Sequence, residues 1–281
     1  MKPENPIVST DWLAKHLAAP DVRVADASWY LPQAGRNARE EFASAHIPGA
    51  VFFDIDDLSD NDTYLPHMLP SPSKFASRMR QLGLGDGHLI VVYDGAGIYS
   101  SPRAWWMLRA MGHEEVVVLD GGLPKWRREG RPLQDVIQNP GIRHFTPRPN
   151  AALVRTFGQM KANVDSGQEQ VVDARGAMRF RGEEEEPRPG VRRGHIPSSS
   201  NIPYTQMTNP DGTLKSGADL AQILRVAGID WTKPVVTTCG SGITAAIDLL
   251  ALTVVGAKDC ALYDGSWAEW GARADAPIEQ G

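Results

Sequence analysis

Cysteine is scarce in this sequence. Only Cys239 and Cys260 occur among 281 residues, with no Cys-x-x-Cys pair and no cluster at metal-ligand spacing. A disulfide framework and a structural zinc site are therefore not expected, nor is any other metal site. No apolar run is long enough to span a membrane. The start, MKPENPIVSTDW, has no basic segment leading into an apolar one, so no secretory leader is expected and a cytoplasmic location is the default. An excess of positive charge is missing too: the formal net charge is −5, which argues against nucleic acid and anionic membranes as partners.

What is present is the composition of an ordinary globular protein, 42% hydrophobic and 22% charged. The length suits one large domain or two of about 130 residues. A repeat decides for two. Val91-Val92, Asp120-Gly121 and Trp126 recur 144 positions later as Val235-Val236, Asp264-Gly265 and Trp270. Likewise Val24-Ala25-Asp26 and His46-Ile47-Pro48 have counterparts in Val171-Val172-Asp173 and His195-Ile196-Pro197. Within each copy β-branched runs alternate with helical stretches: Leu89–Tyr93, 102–111 and Val116–Leu119 in the first, Val235–Thr238, 244–255 and Cys260–Tyr263 in the second. Such alternation predicts an α/β fold, each copy an open, mostly parallel sheet flanked by helices. The expected division is a first domain at 1–135, a proline-containing linker at 136–150 and a second domain at 151–281.

One stretch carries the chemistry. After the apolar run Val235–Thr238 come Cys239-Gly240-Ser241-Gly242-Ile243-Thr244 and then a helix-forming segment. The two glycines let the loop curl so that backbone N–H groups turn toward the cysteine sulfur, and the helix beginning near Thr244 adds its positive end. Both favour a thiolate, the nucleophilic form. Paired glycines would fill a core poorly, which sets Cys239 apart from Cys260, read as a core residue in mid-strand. Aligning the copies puts Gly95 opposite Cys239, so the first copy lacks the nucleophile and is expected to be catalytically silent.

The chain resembles the tandem-domain rhodaneses over nearly its whole length. The resemblance rests on His46-Ile47-Pro48-Gly49, Ser101-Pro102-Arg103-Ala104-Trp105-Trp106, Asp173-Ala174-Arg175, the Cys239 loop and Tyr263-Asp264-Gly265-Ser266-Trp267-Ala268-Glu269-Trp270. Within the family, Gly240 and Ser241 match the mercaptopyruvate-using branch, whereas thiosulfate-using members typically carry basic residues there. The resemblance implies sulfur transfer from 3-mercaptopyruvate through a Cys239 persulfide to a thiophile such as cyanide, a small thiol or thioredoxin, without a cofactor. It implies that Arg179 and Arg188 bind the substrate carboxylate, which suits the paired hydrogen bonds of a guanidinium. It also implies that Gly240, Gly242, Ile243 and Thr244 line the substrate site. A Ser241, His67 and Asp56 relay would manage the proton required by the departing pyruvate enolate.

Other readings stand beside it. Thiosulfate:cyanide sulfurtransferase shares the chemistry with a different donor, and a passive sulfur carrier shares only the persulfide. A cysteine phosphatase needs an arginine six positions after the cysteine, where this chain has Ala245. The acidic run 183–186 is read as a solvated charge run, His46 and His195 as structural corners, and Asp264-Gly265 as a turn.

Overall fold

The computed structural model describes residues 3–138 and 140–281. Met1 and Lys2, in the start read above for a leader, and Asn139, in the expected linker, lie outside the described residues. The chain forms two compact units, one comprising Met1–Asn61, Leu69–Asn150 and Asn209–Leu214, the other Asp62–Met68, Ala151–Thr208 and Lys215–Gly281.

In the first unit β1 (Ile7–Val8), β2 (Val22–Asp26), β3 (Val51–Phe52), β4 (Leu89–Tyr93) and β5 (Val116–Leu119) make one sheet in the order β1-β5-β4-β2-β3. In the second, β6 (Val154–Arg155), β7 (Gln170–Asp173), β8 (Ser200–Asn201), β9 (Val235–Thr238) and β10 (Cys260–Tyr263) repeat it as β6-β10-β9-β7-β8. Every pairing between these strands is parallel. The inner strands β4, β5, β9 and β10 are buried along their whole length, as expected of sheets covered on both faces. The edge strands are only two residues long, which limits the unpaired backbone they offer.

The helices after β4 and β9 correspond residue for residue, Ser101–Ala110 and Ala245–Val254. The second is buried over almost its whole surface, from Ala245 to Leu252, so the loop before it is anchored at both ends in core. The end of the linker runs along the first unit. Arg148 and Asn150 donate backbone N–H groups to the carbonyls of Met111 and Ala110 at 2.8 and 2.7 Å, and Phe145 is buried against Phe75.

The loop after β4 has turned on itself. The Asp94 carboxylate accepts the N–H groups of Ala96, Tyr99, Ser100 and Ser101 at 2.9–3.0 Å and the Ser101 hydroxyl at 2.7 Å. The amides of this copy thus converge on a carboxylate of its own chain. At Gly95 a Cβ would stand 2.1 Å from the Tyr30 hydroxyl, which is held by Glu41 at 2.9 Å, so this position has no room for a side chain.

Candidate active site

β9 ends at Thr238, so Cys239 leaves the carboxyl edge of the sheet, where open α/β sheets bind ligands. Its backbone is fixed to the short helix Ser266–Trp270 that follows β10. The Cys239 N–H donates to Ser266 Oγ at 3.4 Å, and the carbonyls of Cys239 and Gly240 accept from Trp267 and Ala268, both at 2.9 Å. Ser266 Oγ in turn donates to the Tyr263 carbonyl at 2.9 Å. Ser266 is fully buried with φ 49, a left-handed conformation that is costly for serine. It holds the nucleophile's backbone, and no pattern in the sequence marks it beyond the Asp-Gly-Ser turn.

Cys239 is 2% exposed, and its Sγ accepts the N–H of Gly242 at 3.1 Å. That donor favours negative charge on Sγ, and Gly242 adopts φ 81, open to glycine at little cost. Ile243 is buried, and Thr244 is the N-cap residue of Ala245–Val254, placing the positive end of that helix at the loop. Gly240 lies close to Arg179: a Cβ there would stand 3.1 Å from Arg179 Nη2, a tight contact that a shift of a few tenths of an ångström by the guanidinium would relieve.

Arg179 sits on the helix Ala177–Arg181, positioned by the stacking of Phe180 on His195 at 3.8 Å between ring centroids. His195 Nδ1 bonds the Phe180 carbonyl at 2.8 Å, and His46 Nδ1 the Phe42 carbonyl at 2.7 Å, so both histidines act as structural corners. Arg179 donates to Glu186 from Nη2 at 2.5 Å and from Nε at 3.3 Å. Arg175 donates to the other side of the same carboxylate at 2.8 Å and grips Asp173 at 2.7–3.1 Å.

Here the reading of 183–186 as a solvated run is corrected. Glu183 and Glu185 are exposed and pair with Arg181 and Arg193, but the Glu186 side chain is only 4% exposed. Two guanidiniums make its burial tolerable. Arg188 is half-buried. Loss of solvent lowers its pKa, the nearby Arg179 charge lowers it further, and Cys239 and Glu186 raise it, so Arg188 lies in electrostatic reach of the sulfur.

His67 and Ser241 are brought together in the second unit, though through the backbone: His67 Nδ1 lies 3.3 Å from the Ser241 carbonyl oxygen. His67 is buried with φ 60, a strained conformation of the kind that clusters at functional sites. Asp56 belongs to the first unit, on the helix Ile55–Leu58, where it accepts the Trp29 indole N–H at 3.0 Å.

Sequence reasoning passed over Asp248. It stands inside the apolar helix Ala245–Val254, fully buried, with no hydrogen-bond partner for either carboxylate oxygen among the described residues. Burial raises its pKa well above the ordinary value, with Cys239 and Asp173 adding to the rise, so the protonated form is favoured there. A lone charge in Ala245-Ala246-Ile247-Asp248-Leu249-Leu250 was the available signal. Neither Cys239 nor Cys260 is in a disulfide, and Cys260 is a core residue of β10. Among the described residues no group of three or more His, Cys, Asp or Glu side chains is arranged to hold a metal.

The family model "Rhodanese-like domain" matches residues 9–129 and 156–273. The chain is 44% identical over 275 residues to the 3-mercaptopyruvate sulfurtransferase of Escherichia coli (strain K12), covering 97% of both. It is 41% identical over 295 residues to the Arabidopsis thaliana mitochondrial thiosulfate/3-mercaptopyruvate sulfurtransferase 1, covering 98% of this chain and 78% of that one. Its fold is similar to the crystal structure of SseA from Escherichia coli, described as a 3-mercaptopyruvate sulfotransferase with a rhodanese fold. The TM-score is 0.86 at 40% identity over 94% of this chain and 99% of SseA.

Proposed function

The chain belongs to the rhodanese-like family, of whose domain it carries two copies, and on that footing we propose that it transfers the sulfur of 3-mercaptopyruvate through Cys239 to a thiophilic acceptor. The observation that carries this reading is the Gly242 N–H at 3.1 Å from Sγ, a fixed donor where negative charge must reside. In the first half-reaction the Cys239 thiolate attacks the substrate sulfur. A sulfur–sulfur bond forms, the carbon–sulfur bond breaks, and its electron pair leaves with carbon as pyruvate enolate. The enolate takes up the proton that the transferred sulfur sheds, giving pyruvate and a Cys239 persulfide anion. In the second, cyanide or a thiolate takes the outer sulfur and the Cys239 thiolate returns.

Arg179 and Arg188 are assigned to the substrate carboxylate, and Gly240, Gly242, Ile243 and Thr244 to the loop that surrounds the transferred sulfur. Ser241, His67 and Asp56 are assigned to the proton relay, with the nearness of His67 to Ser241 in support. No cofactor is assigned to either half-reaction. A small thiol or reduced thioredoxin is the proposed acceptor. A reducing compartment such as the cytoplasm is the proposed location, supported by two cysteines that form no disulfide.

Thiosulfate is the alternative donor. Arg188, in electrostatic reach of Cys239, also suits an inorganic anion, and thiosulfate appears in the name of the Arabidopsis relative. Phosphatase chemistry is disfavoured, because Ala245 opens a buried helix where a phosphate clamp would stand. Initial rates with cyanide and each donor separate the readings. The expected results are a kcat/KM favouring mercaptopyruvate and parallel double-reciprocal lines; intersecting lines would contradict the covalent carrier, and a preference for thiosulfate would contradict the donor.

A further inference from the structure

We propose that Glu186 is a specificity-determining residue for the sulfur donor: by cancelling one of the two guanidinium charges beside the Cys239 loop, it biases the site toward monoanionic donors and against dianionic ones. This rests on the assignment of Arg179 and Arg188 as the cations that meet the donor. Asp173, Arg175, Glu186 and Arg179 form one continuous chain of ion pairs, with contacts of 2.7 Å (Asp173 to Arg175), 2.8 Å (Arg175 to Glu186) and 2.5 Å (Glu186 to Arg179). Two carboxylates and two guanidiniums sum to zero. Of the side chains assigned to the donor, Arg188 then contributes the uncancelled positive charge. Glu186 is the member that decides this sum, since Arg175 is already matched by Asp173, their side chains being 1% exposed each.

The chain of pairs ends beside the cysteine loop: Arg179 Nη2 stands 3.1 Å from where a Cβ on Gly240, the residue after the nucleophile, would be. Arg188 feels Arg179, Glu186 and Cys239 together. The charge of Glu186 therefore acts on any donor that reaches the sulfur. 3-Mercaptopyruvate brings one negative charge and thiosulfate two. A unit of positive charge released at the site attracts a dianion twice as strongly as a monoanion at the same distance. Removing the Glu186 charge should therefore raise the thiosulfate-to-mercaptopyruvate ratio of kcat/KM, whereas misplacing Arg179 should lower both values together.

The test measures that ratio, with cyanide as acceptor, in the wild type, Glu186→Gln, Glu186→Asp and Arg179→Gln. Glu186→Gln is expected to raise it about tenfold, Glu186→Asp to leave it within about threefold, and Arg179→Gln to lower it about tenfold. A folded Glu186→Gln whose ratio does not move, or whose two values fall in parallel, overturns the proposal. If that variant does not fold, Arg179→Gln decides: a lowered ratio upholds it and an unmoved one overturns it. Failure of the wild type to turn over mercaptopyruvate would instead contradict the proposed function. Wild-type turnover with unmoved ratios contradicts only the role of Glu186.

Discussion

Cys239 is nearly closed to bulk water, so what its sulfur can do depends on the few groups around it, and the Gly242 N–H is the best defined of them. Gly242→Ala strains the φ 81 conformation by about 1–2 kcal/mol, and the loop is expected to relieve that strain by turning the N–H away from Sγ. We expect kcat for mercaptopyruvate to fall about a hundredfold, with fold and thermal transition little changed, as checked by initial rates and circular dichroism. The cysteine and its glycines were legible in the sequence because such a cluster suits a curled loop and little else. Glu186 was not. Its partners Arg175 and Arg179 stand 11 and 7 residues away, but the helix that carries Arg179 ends at Arg181 and Glu186 lies in the loop beyond, where no periodicity applies, so nothing distinguished it from the exposed Glu183 and Glu185.

At the scale of elements, the strands and the two post-strand helices were readable because β-branched runs and apolar helices write their burial directly into sequence. The helix Ala245–Val254 contains the exception, Asp248. Its folded pKa lies well above the ordinary value of 3.8, so between the two values the folded chain binds more protons than the unfolded chain. Stability is therefore lost as pH rises through that window. Asp248→Leu removes the unpartnered carboxyl and is expected to stabilise by about 1–3 kcal/mol near neutral pH, a gain that shrinks toward acid. Denaturant unfolding of both proteins across pH checks it. A variant less stable than the wild type, or a gain that does not change with pH, would contradict a buried neutral acid at this position.

The whole molecule is a repeat whose copies share strand order, and the loop after β4 differs from the loop after β9 in a way that bears on the chemistry. Position 94 is an aspartate that gathers the loop amides and position 95 a glycine with no room beside it, whereas the equivalents are Thr238 and Cys239. The offset of 144 residues made the duplication visible. What it could not reveal is the membership of 62–68 and 209–214, which rests on contacts between distant residues such as His67 with Ser241 and Leu214 with Asp120 at 2.9 Å. Sulfur transfer by the intact chain can be read directly from its mass after incubation with 3-mercaptopyruvate and no acceptor, beside Cys239→Ser. The wild type should gain one sulfur atom and lose it on addition of cyanide, while the variant gains none and its turnover falls more than about a thousandfold. A wild-type mass that does not change, or a sulfur atom that Cys239→Ser acquires equally, would contradict Cys239 as the carrier.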